Sequence, residues 1–236
     1  MPLQSAGHAM SGQAFKLQRV AGEAVLIIAS VFVAIVLEGM WQERVQATEA
    51  RAALGQLLNE LREDRVEVER VIARQLEIDG EFAELRSWLA EPSTLPADAF
   101  NKNMDSISLD NTGLYGRQSA WSNMVASGYL PLLNDSALVS LLADLYERRM
   151  TRLLANNENY DNINIALMRV AGAAIWDGDN RRLLTDDPLA ISSFRGELRY
   201  VHIAWTKWYI DFCYRYAGAL DELIVDVEAY LQEYGR

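Results

Sequence analysis

The sequence predicts an all-α protein in which one N-terminal transmembrane helix continues into an antiparallel helical bundle of about four helices. Three observations carry that prediction. Residues 22–43, GEAVLIIASVFVAIVLEGMWQE, form an apolar run bounded by two glutamates. Beyond it, Leu54, Leu57, Leu58, Leu61, Val68, Val71, Ile72, Leu76, Phe82, Leu85 and Leu89 recur at spacings of three and four or their sums. Strand-like alternation of useful length is absent, as is any repeat of fixed period.

The apolar run is read from Val20 to Trp41, because its 22 residues extend about 33 Å as a helix, against a hydrocarbon core of about 30 Å. Glu23 and Glu38 then lie just inside the two edges, where carboxylates reach the headgroups, and Trp41 falls at an interface. A signal peptide is the competing reading, with a V-x-A site at Val45–Ala47, but Trp41, Gln42, Glu43 and Arg44 separate that site from the apolar core. A buried core helix is the third reading. Taken at about 100° per residue, Glu23, Ile27, Ser30, Ala34, Glu38 and Trp41 fall within roughly 80° of one another. Small and polar groups on one face of a lipid-embedded helix mark where a second helix packs, so these six residues are the candidate partner-helix contact. The bland alternative is that the glutamates snorkel and the small residues are incidental.

Residues 1–19 are read as a short cytoplasmic tail, because Lys16, Arg19 and the chain amine outnumber Arg44 and Arg51 on the far side. Residues 42–91 form a long amphipathic helix leaving the membrane, with Gly55 and Gly80 as places where it could bend. Residues 92–236 complete a periplasmic bundle. In it, 92–117 is a Pro/Asn/Asp/Ser/Gly-rich connection with a short helix started by Pro96. A helix over Ser119–Ser127 stops at Gly128, and Asn134-Asp135 caps another beginning at Ser136, whose pattern weakens through ANNENYDNIN and recovers before the turn DGDN. Asp187-Pro188 opens the last helix, whose apolar periodicity continues to Tyr230, with Ser192–Gly196 as a place where it could be interrupted. Lys207, Asp211 and Arg215 make an exposed ladder on it, and its aromatics Tyr200, Trp205, Trp208, Tyr209, Phe212, Tyr214 and Tyr216 read mainly as core, with an aromatic dock for lipid or a partner as the sharper reading.

Composition narrows the chemistry. The chain has 236 residues, half of them hydrophobic, and a net charge of -11; all but two of its 22 basic and all but two of its 33 acidic side chains lie from Gly39 onward. An acidic domain of this kind lacks the basic face that nucleic acid requires. Cys213 is the single cysteine, and His8 and His202 are the only histidines, so no metal site is expected. Phosphate-binding loops, a nucleophile elbow and Glu-x-x-His are all missing, and Cys213 and His202 lie eleven residues apart on one helix. Paired acids such as Glu63-Asp64 and Asp186-Asp187 read as solvated faces or caps. The expectation is a protein that is no enzyme, with no cofactor, no metal and no small-molecule substrate.

Two stretches carry a family resemblance. GEAVLIIASVFVAIVLEGMWQERVQ, leading into LLNELREDRVEVE, resembles the Gly-Glu start, apolar span and terminal tryptophan of uncharacterised bacterial single-pass membrane proteins, the domain of unknown function 6090. AWSNMVASGYLPLLNDSALVSLLADLYE is similar to that family's mid-chain small-residue-Gly segment and Leu-rich capped helix. The family is rich in lysine and carries Asn near the end of its span, whereas this chain has three lysines and Glu38-Gly39 there. The resemblance implies topology and no activity.

The functional expectation is a non-catalytic accessory or scaffolding subunit of a larger membrane complex in the bacterial inner membrane. Its partners would be other transmembrane subunits and lipid, and energy-transducing or photosynthetic assemblies are the kind of host expected. A sensor passing a signal through the membrane helix is the alternative, weakened by the roughly 19 residues ahead of the span. An envelope assembly factor is not separable from the first reading by sequence.

Overall fold

The computed structural model describes residues 9–91, 96–109, 112–177, 179–180 and 182–234, with side chains from Leu26 onward apart from 109 and 170–171. It is all-α apart from one minimal ladder. Helix α1 runs Ala9–Trp88, α2 Ala97–Leu109, α3 Ser119–Ala126, α4 Ser136–Ala143, α5 Thr151–Ala166, α6 Pro188–Val201 and α7 Lys207–Tyr234. The chain divides into two compact units, residues 1–50 and 51–236, with the boundary inside α1.

The first unit is the helix up to Ala50. Its large apolar side chains from Leu26 onward stand in the open, from Val45 at 39% to Trp41 at 71%. In it lies the one segment, among the described residues, long and apolar enough to cross a membrane.

The second unit is built on α1 from Arg51 onward. There the most deeply buried positions are Leu54, Leu57, Leu61, Asp64, Val68, Val71, Gln75, Ile78, Phe82, Leu85 and Leu89, which alternate spacings of three and four without a break, with Ala53, Leu58 and Ile72 buried beside them. That is a seven-residue period, the pattern of a helix whose seam stays against its neighbours. Gly55 and Gly80 do not interrupt it. Leu76, expected on the seam, is 49% exposed, and the seam passes through Gln75 instead.

Two composite rods pack on α1. Helices α4 and α5 are joined by a π-helical turn, Asp144–Met150, and a second one, Leu167–Ala171, follows α5. Helices α6 and α7 are joined by a third, His202–Thr206. Arg62–Glu228, Arg65–Asp221 and Asp79–Lys207 pairs set α7 antiparallel to α1. The Tyr160 hydroxyl donates to Gln75 and Tyr216 donates to the Met150 sulfur, so α5 runs with α1 and against α7. The interruption allowed for at Ser192–Gly196 is absent, since α6 is continuous there; the irregular turn comes at His202–Thr206.

Local signals explain the ends. Asp135 and Asp187 accept the backbone N–H groups of Leu138 and Leu189, capping α4 and α6, with Pro188 in the first turn. Gly128 adopts φ +67, which terminates the α3 turn. Trp176–Asp177 pairs with Arg182–Leu183 in a two-residue antiparallel ladder, with the Asn180 N–H donating to Asp177; residue 178 of the expected turn DGDN lies outside the described residues. Phe82, Leu85, Phe100, Met104, Phe194 and Leu198 form the centre of the core beside it.

Candidate functional site

Three polar arrangements stand out in the second unit, and only one of them faces solvent. The first is Asp64, 1% exposed, which accepts the Arg117 backbone N–H at 2.9 Å and its guanidinium at 2.9 Å. Burial pushes the carboxyl up, by more than Arg117 pulls it down. The solvated role expected for the Glu63-Asp64 pair therefore fails at Asp64, because Asp64 occupies a seam position and is drawn inside to hold the 112–118 segment. Gln75 does the same from the next polar seam position, donating to the Thr112 carbonyl at 2.7 Å. Opposite, the Tyr209 hydroxyl accepts the Leu114 N–H at 2.9 Å and donates to Asn157, and Tyr160 stacks on its ring. Gly116 leaves room for Met150 in this fastening: a Cβ there would lie 2.1 Å from the Met150 methyl, so a larger residue has to displace the end of that side chain.

The second is His202, buried and stacked on Phe82 at 5.5 Å. Arg86 Nη1 lies 2.9 Å from Nδ1 and Asp79 Oδ1 lies 2.7 Å from Nε2. A guanidinium only donates, so Nδ1 accepts and the neutral ring carries its proton on Nε2, which donates to Asp79. Burial is the main cause holding this histidine below its ordinary value. Both nitrogens are committed, which leaves neither to take a proton from a substrate. Cys213 is also buried, and burial pushes its thiol up to about 12, so it stays protonated at neutral pH. Among the described residues no three His, Cys, Asp or Glu side chains are placed to hold a metal ion.

The third arrangement is a groove of about 270 Å³ between the Asp144–Met150 turn with the start of α5, and the start of α7. Arg148, Arg149 and Arg152 form one wall; Trp208, Phe212 and Arg215 form the other. The wide π turn lets residues four and five positions on from Asp144 reach the same side. Arg148 and Arg149 both donate to Asp144 through Nε, the latter at 2.7 Å, and hold its carboxyl down at about 2. Arg152 lies over the Phe212 ring at 5.9 Å and forms no ion pair among the described residues. Trp208 stacks on Phe212 at 5.5 Å and meets Trp205 edge-on at 6.2 Å. Of the seven aromatics expected mainly in the core, only Tyr209 and Tyr216 are buried; Trp205, Trp208 and Phe212 are half-exposed, and Tyr200 and Tyr214 are exposed.

The six residues read from the sequence as a helix contact lie in the other unit. Ile27, Ser30, Ala34, Glu38 and Trp41 are all exposed on α1, while the Glu23 side chain lies outside the described residues. The Ser30 hydroxyl donates to the Leu26 carbonyl at 2.7 Å, so it is satisfied within its own helix. Nothing in the chain covers this face among the described residues. The groove was missed because its two walls are more than fifty residues apart. The local signal for one wall is the Arg148-Arg149-x-x-Arg152 spacing in YERRMTR, which by itself is no different from the charged outer face of a helix.

No curated protein and no solved structure matches this chain. A model of a family of unknown function, DUF6090, matches residues 23–175. The match takes in the apolar helix, the fastened 112–118 segment and the arginine wall of the groove, and stops before the α7 wall. Over that span of well above half its length, the chain belongs to the family of unknown function DUF6090.

Proposed function

We propose that the protein is a non-catalytic, membrane-anchored accessory or scaffolding subunit of a larger membrane complex. Its N-terminus is cytoplasmic, its span is residues 20–41 in the bacterial inner membrane, and its helical domain is periplasmic. An energy-transducing or photosynthetic assembly is the kind of host that fits. The observation that carries the reading is the bare stretch of α1, whose apolar residues between Leu26 and Trp41 are exposed all round while Ser30, Ala34 and Glu38 share one side. Lipid satisfies the Val, Ile, Leu and Phe of the remaining circumference. A carboxylate beside two small residues is better satisfied by another helix. Engagement of both His202 nitrogens and the elevated Cys213 thiol support the absence of chemistry in the helical domain.

A photo-crosslinking side chain at Ala34, compared with one at Phe32 on the opposite side of the helix, tests the proposal in native membranes. Ala34 is expected to give a discrete protein adduct and Phe32 lipid adducts. Lipid adducts at both positions, with a monodisperse monomer in mild detergent, overturn it.

A further inference from the structure

Holding the bundle together accounts for little of the groove's composition: among the described residues, Arg152 over Phe212 joins its two walls, while Arg148, Arg149 and Arg215 pair within their own segments. Four arginines stand on an otherwise acidic protein, and two of the aromatic rings that face them are left half-exposed. Isolated apolar residues at a surface are ordinary, but Trp, Tyr and Arg gathered in one concavity are the residues that dominate protein–protein recognition. Asp211 lines the groove and Asp144, held by Arg148 and Arg149, stands behind its wall; together they offset two of the four positive charges, leaving a net of two. That is enough to select carboxylates and too little for a nucleic-acid backbone, whose binding rests on many phosphate contacts.

Size discriminates further. At about 270 Å³ the groove falls below the roughly 300–1,000 Å³ of pockets that enclose a whole small molecule. One or two side chains of a chain lying across it would fill it. The donors are already arranged for carboxylates: Arg148 and Arg149 meet Asp144 through Nε only and make no further hydrogen bond among the described residues, and Arg152 forms no ion pair among them. Guanidinium edges of this kind take a carboxylate through paired parallel hydrogen bonds.

We infer that this groove docks a short acidic segment of a partner protein, with one aromatic or large aliphatic side chain seated against Trp208 and Phe212 and flanking carboxylates on Arg148, Arg152 and Arg215. The inference deepens the subunit reading by giving the helical domain its own contact, and it rests on that reading for the existence of a partner.

The test uses the full chain in mild detergent and a fluorescein-labelled peptide, DDFDD, followed by anisotropy. DDFDD is expected to bind, and affinity is expected to fall with added salt and by about tenfold or more in Arg152→Glu. Arg195→Glu, an equal charge change at an exposed site outside the groove, is expected to change it less than about twofold. Arg152 is exposed, so an unchanged circular dichroism spectrum confirms that the variant folds; Trp208→Tyr, which keeps a ring, is expected to lose less affinity than Trp208→Ala. Equal binding of DDGDD overturns the apolar seat, and equal binding of KKFKK overturns the carboxylate preference. Inorganic phosphate competing as well as DDFDD makes the groove a free-anion site, and dimer formation abolished by Arg152→Glu assigns it to a second copy; either result overturns the inference. No DDFDD binding up to about 1 mM, a free energy near -4.1 kcal/mol, does so as well. The Ala34 crosslink is read independently: lipid there with intact DDFDD binding removes the subunit reading alone, while a protein adduct there with no DDFDD binding removes the groove alone.

Discussion

Asp64 and His202 show how far a single side chain in this bundle depends on one partner. Arg117 supplies Asp64 with a guanidinium and a backbone N–H, and Arg117→Ala leaves only the second. A hydrogen bond to a buried charge contributes about 1.5–3 kcal/mol, so that variant is expected to lose about that much stability by thermal or denaturant unfolding. His202 responds to pH in the opposite sense from an ordinary salt-bridged histidine. Its folded value lies below the 6.5 of the free side chain, so the unfolded chain binds more protons, and its contribution is complete above pH 6.5 and lost as the pH falls below it. The groups facing it are Asp79, Arg86 and Lys207; the two cations oppose its protonation and Asp79 only partly favours it. The melting temperature is therefore expected to fall between pH 7 and 5.5, with a flatter slope in His202→Gln. Asp64, raised above 3.8, binds its proton more tightly folded than unfolded and pulls the other way, in a more acidic window.

At the scale of the elements, the legible and illegible parts divide on physical grounds. Caps at Asp135 and Asp187, the stop at Gly128 and the start after Pro96 were readable because each is local chain chemistry. The α1 seam was readable except at Asp64, Gln75 and Ile78. At the first two the seam residue is polar, and its partners, Arg117 and Thr112, are distant in sequence. The α5 pattern weakens for the same reason: its buried positions include Asn157 and Asn164 as well as Tyr160. The two rods carry the same period of three and four, but it slips once in each. Buried positions run Leu138, Leu142, Leu145 and then restart Tyr146, Met150, Leu153, Asn157; likewise Phe194, Leu198, Val201 and then His202, Thr206, Tyr209, Cys213. Each slip coincides with a π turn, which accommodates one extra residue. The pairs Leu145-Tyr146 and Val201-His202 were the visible signs, two adjacent seam residues where a regular helix has one. The groove was not readable, because no short-range pattern joins Arg152 to Phe212.

For the whole molecule, the division is between a unit whose apolar surface is unclaimed by its own chain and one whose core is closed. The first is expected to need lipid or a partner, which the Ala34 and Phe32 crosslinks report. The second closes over a core whose buried polar groups are mostly engaged among the described residues, and opens the arginine and aromatic groove at its surface. The extra residues in the π turns give that arrangement a genetic reading. Removing one residue from 144–150 and one from 202–206 would bring both rods back to an uninterrupted seven-residue period. Such a doubly shortened chain is expected to keep or raise its melting temperature while Arg148 and Arg149 can no longer both reach Asp144. In an alignment of relatives, then, single-codon gaps at these two places would mark chains that retain the scaffold and have given up its docking face.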